Sequence, residues 1–154
     1  MSQSSKRIKP LVLTEFLPFR LFALTYHFSQ RLQRVYSDEY GLTRTEWRIL
    51  AVLAQTPGIS AREVADLGLL DKVAVSRAVA QLLQREILTR ESDQRDKRRS
   101  VLSLTDEGVT LYSQVAPAVR KVEQTVLAGL SKAELEQIDS TINELSERLT
   151  ADLR

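Results

Sequence analysis

The chain has 154 residues, 43% hydrophobic and 27% charged, with five glycines and no cysteine. That length suits one compact domain, or a small domain carrying a dimerisation element, and the composition is that of a helix-rich globular protein rather than a disordered chain. Disulfides, thiolate metal sites and thiol redox sensing are excluded. No apolar run reaches the roughly eighteen residues needed to cross a bilayer and the N-terminus has no signal-peptide core, so a soluble cytoplasmic protein with no membrane segment is expected.

Net charge is only +2, but it is unevenly spread. Residues 1–59 carry eight Lys/Arg against four Asp/Glu, residues 60–99 nine against seven, and residues 100–154 five against nine. A basic end and an acidic end fit a protein that meets a polyanion through one of them. One histidine, no Gly-rich phosphate loop and no carboxylate pair at a motivated spacing leave no catalytic constellation. Neither an enzyme nor a bound metal or cofactor is expected.

Residues 1–10 read as a flexible basic arm. From Pro18, placed for a first helical turn, the pattern is helical to about Tyr40. Leu21, Leu24, Phe28, Leu32 and Val35 form one apolar stripe, and Phe19, Phe22, Ala23 and Tyr26 a second. A helix apolar on two sides needs two partners, which points to another subunit or a small-molecule cavity. Gly41 closes it. Thr43-Arg44-Thr45-Glu46 is a capping box that opens a helix carrying Trp47, Ile49, Leu50 and Leu53, ended by Thr56-Pro57-Gly58. A second box, Ser60 to Glu63, starts a short helix that Gly68 can stop, and Asp71 caps the next. Two helices joined around a glycine form a helix-turn-helix, with the second as reader.

In that reader helix Val75, Val79, Leu82 and Leu83 recur at helical spacing as a buried stripe. The opposite face offers Val73, Ser76, Arg77, Ala80, Gln81 and Gln84, slim enough to enter a DNA groove. Leu88–Ser92 and Arg99–Leu104 then read as a β-hairpin with its tip at 93–98, made cationic by Arg95, Lys97, Arg98 and Arg99. Thr105, Asp106 and Glu107 start a long helix with apolar steps Leu111, Val115, Val119, Val122, Val126 and Leu130, and a kink is expected at Pro117. After Gly129 a third capping box, Ser131 to Glu134, opens a last helix striped by Leu135, Ile138, Ile142, Leu145, Leu149 and Leu153. These stripes are expected to pack in part on a second chain, the alternative being a helical hairpin within one chain.

The fold class expected is mainly α with a small β-hairpin wing: a winged helix-turn-helix over residues 41–105, and a helical dimerisation domain from residues 11–40 and 106–154. The segments LTRTEWRILAVLAQTPGISAREVADL, LDKVAVSRAV and DQRDKRRSVLSLTDEG, in that order and spacing, resemble the MarR family of bacterial transcriptional regulators over roughly residues 15–150. The resemblance implies a homodimer on a near-palindromic double-stranded operator. It also implies a transcriptional repressor that a small aromatic carboxylate or phenolic effector releases from DNA. It makes Arg98 the wing arginine of the minor groove and Asp96 its positioning carboxylate, with Arg95, Lys97 and Arg99 at phosphates or groove edges.

On the reader helix, Lys72, Val73, Ala74, Ser76 and Arg77 match positions that approach the major groove. Arg77 suits a bidentate guanine contact, and Val73 or Ala74 a thymine methyl. Ser60, Ala61 and Arg62 stand at a helix start suited to phosphate. Phe19, Arg20, Tyr26, His27 and Trp47 are the candidate effector contacts, combining aromatic walls with a group that pairs a carboxylate. Glu86 stands where relatives often have glycine, so the reader helix is expected to end differently. A protein-binding adaptor that keeps the winged fold is the other functional class open at this stage.

Overall fold

The computed structural model describes residues 9–93 and 99–151. Helix α1 (Leu17–Gln33) has Pro18 in its first turn and continues into a π-helical stretch, Arg34–Glu39, which buries Tyr36. There follow α2 (Arg44–Gln55), α3 (Ala61–Leu67), α4 (Lys72–Gln84), β1 (Leu88–Ser92), β2 (Ser100–Leu104), α5 (Asp106–Leu127) and α6 (Lys132–Ala151). The fold is thus mainly helical with one antiparallel hairpin among the described residues, as the periodicities indicate. The chain divides into two units, the first running to Val119 and the second starting at Arg120; α5 passes from one into the other, continuous through Pro117.

All three capping boxes form. At α2 the Glu46 amide donates to the Thr43 hydroxyl at 3.2 Å while the Thr43 amide donates to Glu46 Oε2 at 2.7 Å, so two orphan donors are satisfied reciprocally. Ser60 with Glu63 and Ser131 with Glu134 repeat the arrangement. The core of the first unit sits where α2, α3, α4 and the hairpin meet. Ile49, Leu50 and Leu53 of α2, Val64 of α3 and Val75, Val79 and Leu82 of α4 are buried there with Leu88 and Leu102 of the strands. Tyr36, Leu42 and Val115 close its edges. Ala78 joins the α4 seam, whereas Leu83 is only half-buried.

The hairpin pairs Leu88 with Leu104 and Ser92 with Ser100. Its β2 strand also bonds the segment before α3: the Leu102 amide donates to the Ile59 carbonyl at 2.8 Å and the Gly58 amide to the Leu102 carbonyl at 2.9 Å. This bridge fixes the hairpin root to the helix-turn-helix.

The ends of α3 and α4 share one geometry. At α4 the Glu86 amide donates to Leu83 and the Ile87 amide to Leu82, the paired bonds of a Schellman motif, with Leu82 and Ile87 both buried beneath them. Glu86 occupies the left-handed position at φ 57°, so the substitution for glycine leaves the stop in place and strains it. At α3 the left-handed residue is Leu69, 87% exposed, rather than Gly68. Gly68 serves close packing instead, because a Cβ there would sit 2.9 Å from the Val64 carbonyl oxygen and 3.0 Å from Leu70 Cδ1.

Gly108 is the tightest point. A Cβ on it would lie 2.2 Å from the Ile87 carbonyl oxygen, which also accepts from the Thr105 hydroxyl and amide. The first turn of α5 therefore rests directly on the backbone joining α4 to β1. Two substitutions of opposite sign are expected to report these constraints in denaturant unfolding. Gly108→Ala loses about 3 kcal/mol because backbone must move, and Glu86→Gly gains about 0.5–1 kcal/mol by relieving the left-handed glutamate.

Candidate nucleic-acid interface

Burial of Val75, Ala78, Val79 and Leu82 decides which side of α4 faces outward. Lys72, Val73, Ser76, Arg77, Ala80, Gln81 and Gln84 are exposed and Ala74 is half-buried. Val73 keeps 58% of its surface although it is apolar, at the end of the helix where the Asp71 carboxylate accepts from the Ala74 amide at 2.9 Å. Next to the other end, Arg85 reaches Glu46 across 3.5 Å. Glu46 is 3% exposed, and its carboxylate is held by the Thr43 amide and by Arg85. This pair ties the C-cap of α4 to the first turn of α2. The sequence offered Glu46 only as a cap; nothing in the spacing of residues 46 and 85 announces the ion pair.

Of the wing residues, Arg95, Asp96, Lys97 and Arg98 lie outside the described residues. Arg99 is exposed and its Nη2 donates to Glu63 Oε2 at 2.9 Å. The same oxygen accepts from the Ser60 hydroxyl at 2.6 Å and the Ser60 amide at 2.8 Å. These donors, the Ser60 hydroxyl first, then its amide, then the Arg99 guanidinium, hold the Glu63 carboxyl below its usual range. Ser60 is therefore already engaged within the protein, and Ala61 packs on the core. Arg62 stays exposed, loosely opposite Asp66 at 4.0 Å.

The candidate effector residues fall in two environments. Phe19, Arg20, Tyr26 and His27 are exposed on α1, with Tyr26 and His27 in edge contact at 5.6 Å. Trp47 is half-buried on α2, stacked between Tyr36 at 6.5 Å and Tyr112 at 5.7 Å. Burial pushes the Tyr36 phenol up, against the opposing pull of Arg44 and Arg48. An open groove of about 590 Å³ runs beside the wing root instead, lined by Glu86, Asp106, Glu107 and their neighbours Leu83, Leu88, Thr89 and Thr105. It contains none of the five candidates, and three carboxylates make it a poor host for an organic acid. Among the described residues no cluster of His, Asp and Glu is arranged to hold a metal.

Comparison with known proteins agrees with this geometry. Residues 40–99, from just after the π-helical stretch to the residue before β2, match the MarR family model. The transcriptional regulator HosA of Escherichia coli O157:H7 is 28% identical over 109 residues, covering 71% of this chain and 81% of that one. The crystal structure of a MarR/EmrR family regulator from Acinetobacter superposes with a TM-score of 0.82 at 25% identity, over 92% of this chain and 99% of the other. The Bordetella bronchiseptica regulator BpsR, whose DNA binding is regulated by 6-hydroxynicotinic acid, shares the fold with a TM-score of 0.79 at 22% identity, covering 90% and 98% of the two chains. A buried seam that turns a slim polar helix face outward beside a β-hairpin is the geometry of a winged helix-turn-helix, and over residues 40–99 the chain resembles the MarR family of transcriptional regulators.

Proposed function

We propose that the protein is a homodimeric, sequence-specific repressor that is released from its operator by a small aromatic acid or phenol. The observation that carries the DNA-binding part is the outward face of α4, a row of small or flexible side chains around Arg77 with no bulk to keep a duplex away. In this reading the N-terminal half of α4 enters the major groove. Arg77 donates two hydrogen bonds to a guanine edge, Val73 or Ala74 touches a thymine methyl, and Lys72 and Ser76 hold flanking groups. The wing delivers Arg98 to the minor groove with Asp96 aligning it, while Arg95 and Lys97 meet phosphates. Arg62 reaches a phosphate from the start of α3, and Ser60 and Ala61 set the position of that helix.

Dimerisation is supported by helices that have no fully buried residue in the single chain. Neither α1 nor α6 contains a buried residue, yet Leu21, Phe22 and Leu24 on α1 and Leu135, Ile138 and Ile142 on α6 are large and exposed. Apolar rows of this extent on terminal helices are what a symmetric partner covers. The effector is supported by chemistry and by kinship. Arg20, with His27 and the aromatics Phe19 and Tyr26 on the same helix, offers a cation and ring faces of the kind a hydroxylated aromatic acid needs, and DNA binding by BpsR is regulated by such a molecule.

Genomic fragments retained by the purified protein supply the operator for the tests. Affinity is expected to fall steeply with salt, by about 0.9 in the slope of log K for each phosphate neutralised. Arg77→Ala should cost about 1–3 kcal/mol and relax preference at one position of each half-site, whereas Arg98→Ala should weaken binding with the dimer intact. Equal affinity of Arg77→Ala for operator and scrambled duplexes, when the parent also shows no preference, contradicts the reading. Sedimentation should find Ile142→Asp monomeric and folded, with operator binding lost. A panel of hydroxylated benzoic and nicotinic acids should include one that releases DNA from the parent.

A further inference from the structure

Arg99 stands at the outer end of the wing, next to the tip, and a cation there invites assignment to phosphate. Its contacts point elsewhere. Its carbonyl accepts from the Asp93 amide at 2.9 Å, which closes the hairpin below the tip. Its guanidinium leaves the hairpin altogether and bonds Glu63, 36 residues earlier, on an oxygen that also receives both donors of Ser60. A charge-assisted bond to a carboxylate that is itself fixed by a capping box is better ordered than a lone surface pair, since Glu63 has already lost its rotamer freedom to the cap.

The position of this bond along the strand matters. Among the described residues, the next hydrogen-bonded link from β2 to the helix-turn-helix is the Leu102–Ile59 bridge, reinforced by the Ser103 hydroxyl accepting from the Gly58 amide at 3.1 Å. Arg99 lies three residues farther out, about 10 Å along an extended strand. A two-stranded ribbon held only at its root swings on that lever, and each orientation it samples must be given up when the tip meets a groove. A second attachment at Arg99 removes that freedom before DNA arrives.

We infer that Arg99 and Glu63 are positioning residues, a strut that pins the outer end of the wing to the first turn of α3 and sets the angle at which the tip meets DNA. The inference rests on the DNA-binding reading given above, and it assigns Arg99 away from phosphate. It carries a counterintuitive consequence: Glu63, a negative charge on the DNA-binding lobe, strengthens DNA binding.

A double-mutant cycle on operator binding across a salt series separates strut from phosphate contact. Glu63→Gln keeps the cap, since glutamine fills the same capping-box position, and removes the charge that holds Arg99. With the strut, Arg99→Ala and Glu63→Gln each weaken operator binding about three- to tenfold, the double variant is no weaker than either, and the salt slope is unchanged. A phosphate contact at Arg99 instead lowers the slope by about 0.9 per protomer in Arg99→Ala, and Glu63→Gln then binds as the parent does or tighter; that result overturns the inference. Hydrogen exchange of the free protein reads the strut without DNA. Faster exchange at Ser100 and Val101 in both single variants is expected, and unchanged exchange in both overturns the inference. Should the parent bind no duplex, the DNA-binding reading fails, and the exchange result still decides whether the strut exists.

Discussion

The seating of α4 is the constraint on which the rest of the helix-turn-helix and its hairpin depends. Val75, Ala78, Val79 and Leu82 lie against α2, α3 and the hairpin, and a side chain fully withdrawn from water there contributes roughly 1.5–3 kcal/mol for a valine or leucine. With that face committed, the 3.6-residue repeat leaves Val73, Ser76, Arg77, Ala80 and Gln81 outside whatever their own preferences. Rotation about the helix axis is resisted at its C-terminal end by Arg85 on buried Glu46, which belongs to α2. Removing Arg85 would take the cationic partner from a carboxylate that is almost wholly out of solvent and leave it with the Thr43 amide, so the contribution of Arg85 to order exceeds that of a surface pair.

The wing is built on the same economy of contacts. One residue, Ile87, links three elements: its side chain closes the Schellman end of α4, its amide bonds Leu82, and its carbonyl accepts from Thr105 where α5 begins, with Gly108 pressed against it. The hairpin therefore leaves the core from a fixed base. Its outer half has little apolar surface of its own, since Arg90, Glu91, Ser92 and Ser100 are all exposed. That is why one side-chain tie at Arg99 has leverage over the direction of the whole finger.

Much of this was legible in the sequence because it is local. Capping boxes are written three residues apart, and the seam of α4 repeats at helical spacing, so helix starts and faces followed directly from residue order. Helix α4 and the hairpin came from the same patterns. What escaped the reading is non-local. Arg99 bonds a carboxylate 36 residues away, and Arg85 another 39 residues away, and no periodicity links such pairs. Trp47 illustrates a different limit: residue type suggests a ligand wall, but its stacking between Tyr36 and Tyr112 depends on how the π-helical stretch and α5 come to flank α2. Gly68 reads in the sequence as a helix stop, whereas the structure uses it for closeness and gives the left-handed turn to Leu69.

In the proposed regulator, α1 and α6 carry the apolar surface that a second copy covers, and two α4 faces then address one duplex about one helical turn apart. Guanine-N7 methylation interference on an operator fragment tests this most directly, because that atom is reached only from the major groove. Loss of binding when guanines in two half-sites about a turn apart are methylated is the predicted result. Binding that tolerates N7 methylation throughout the protected sequence would contradict it, since α4 could not then be the element reading the DNA.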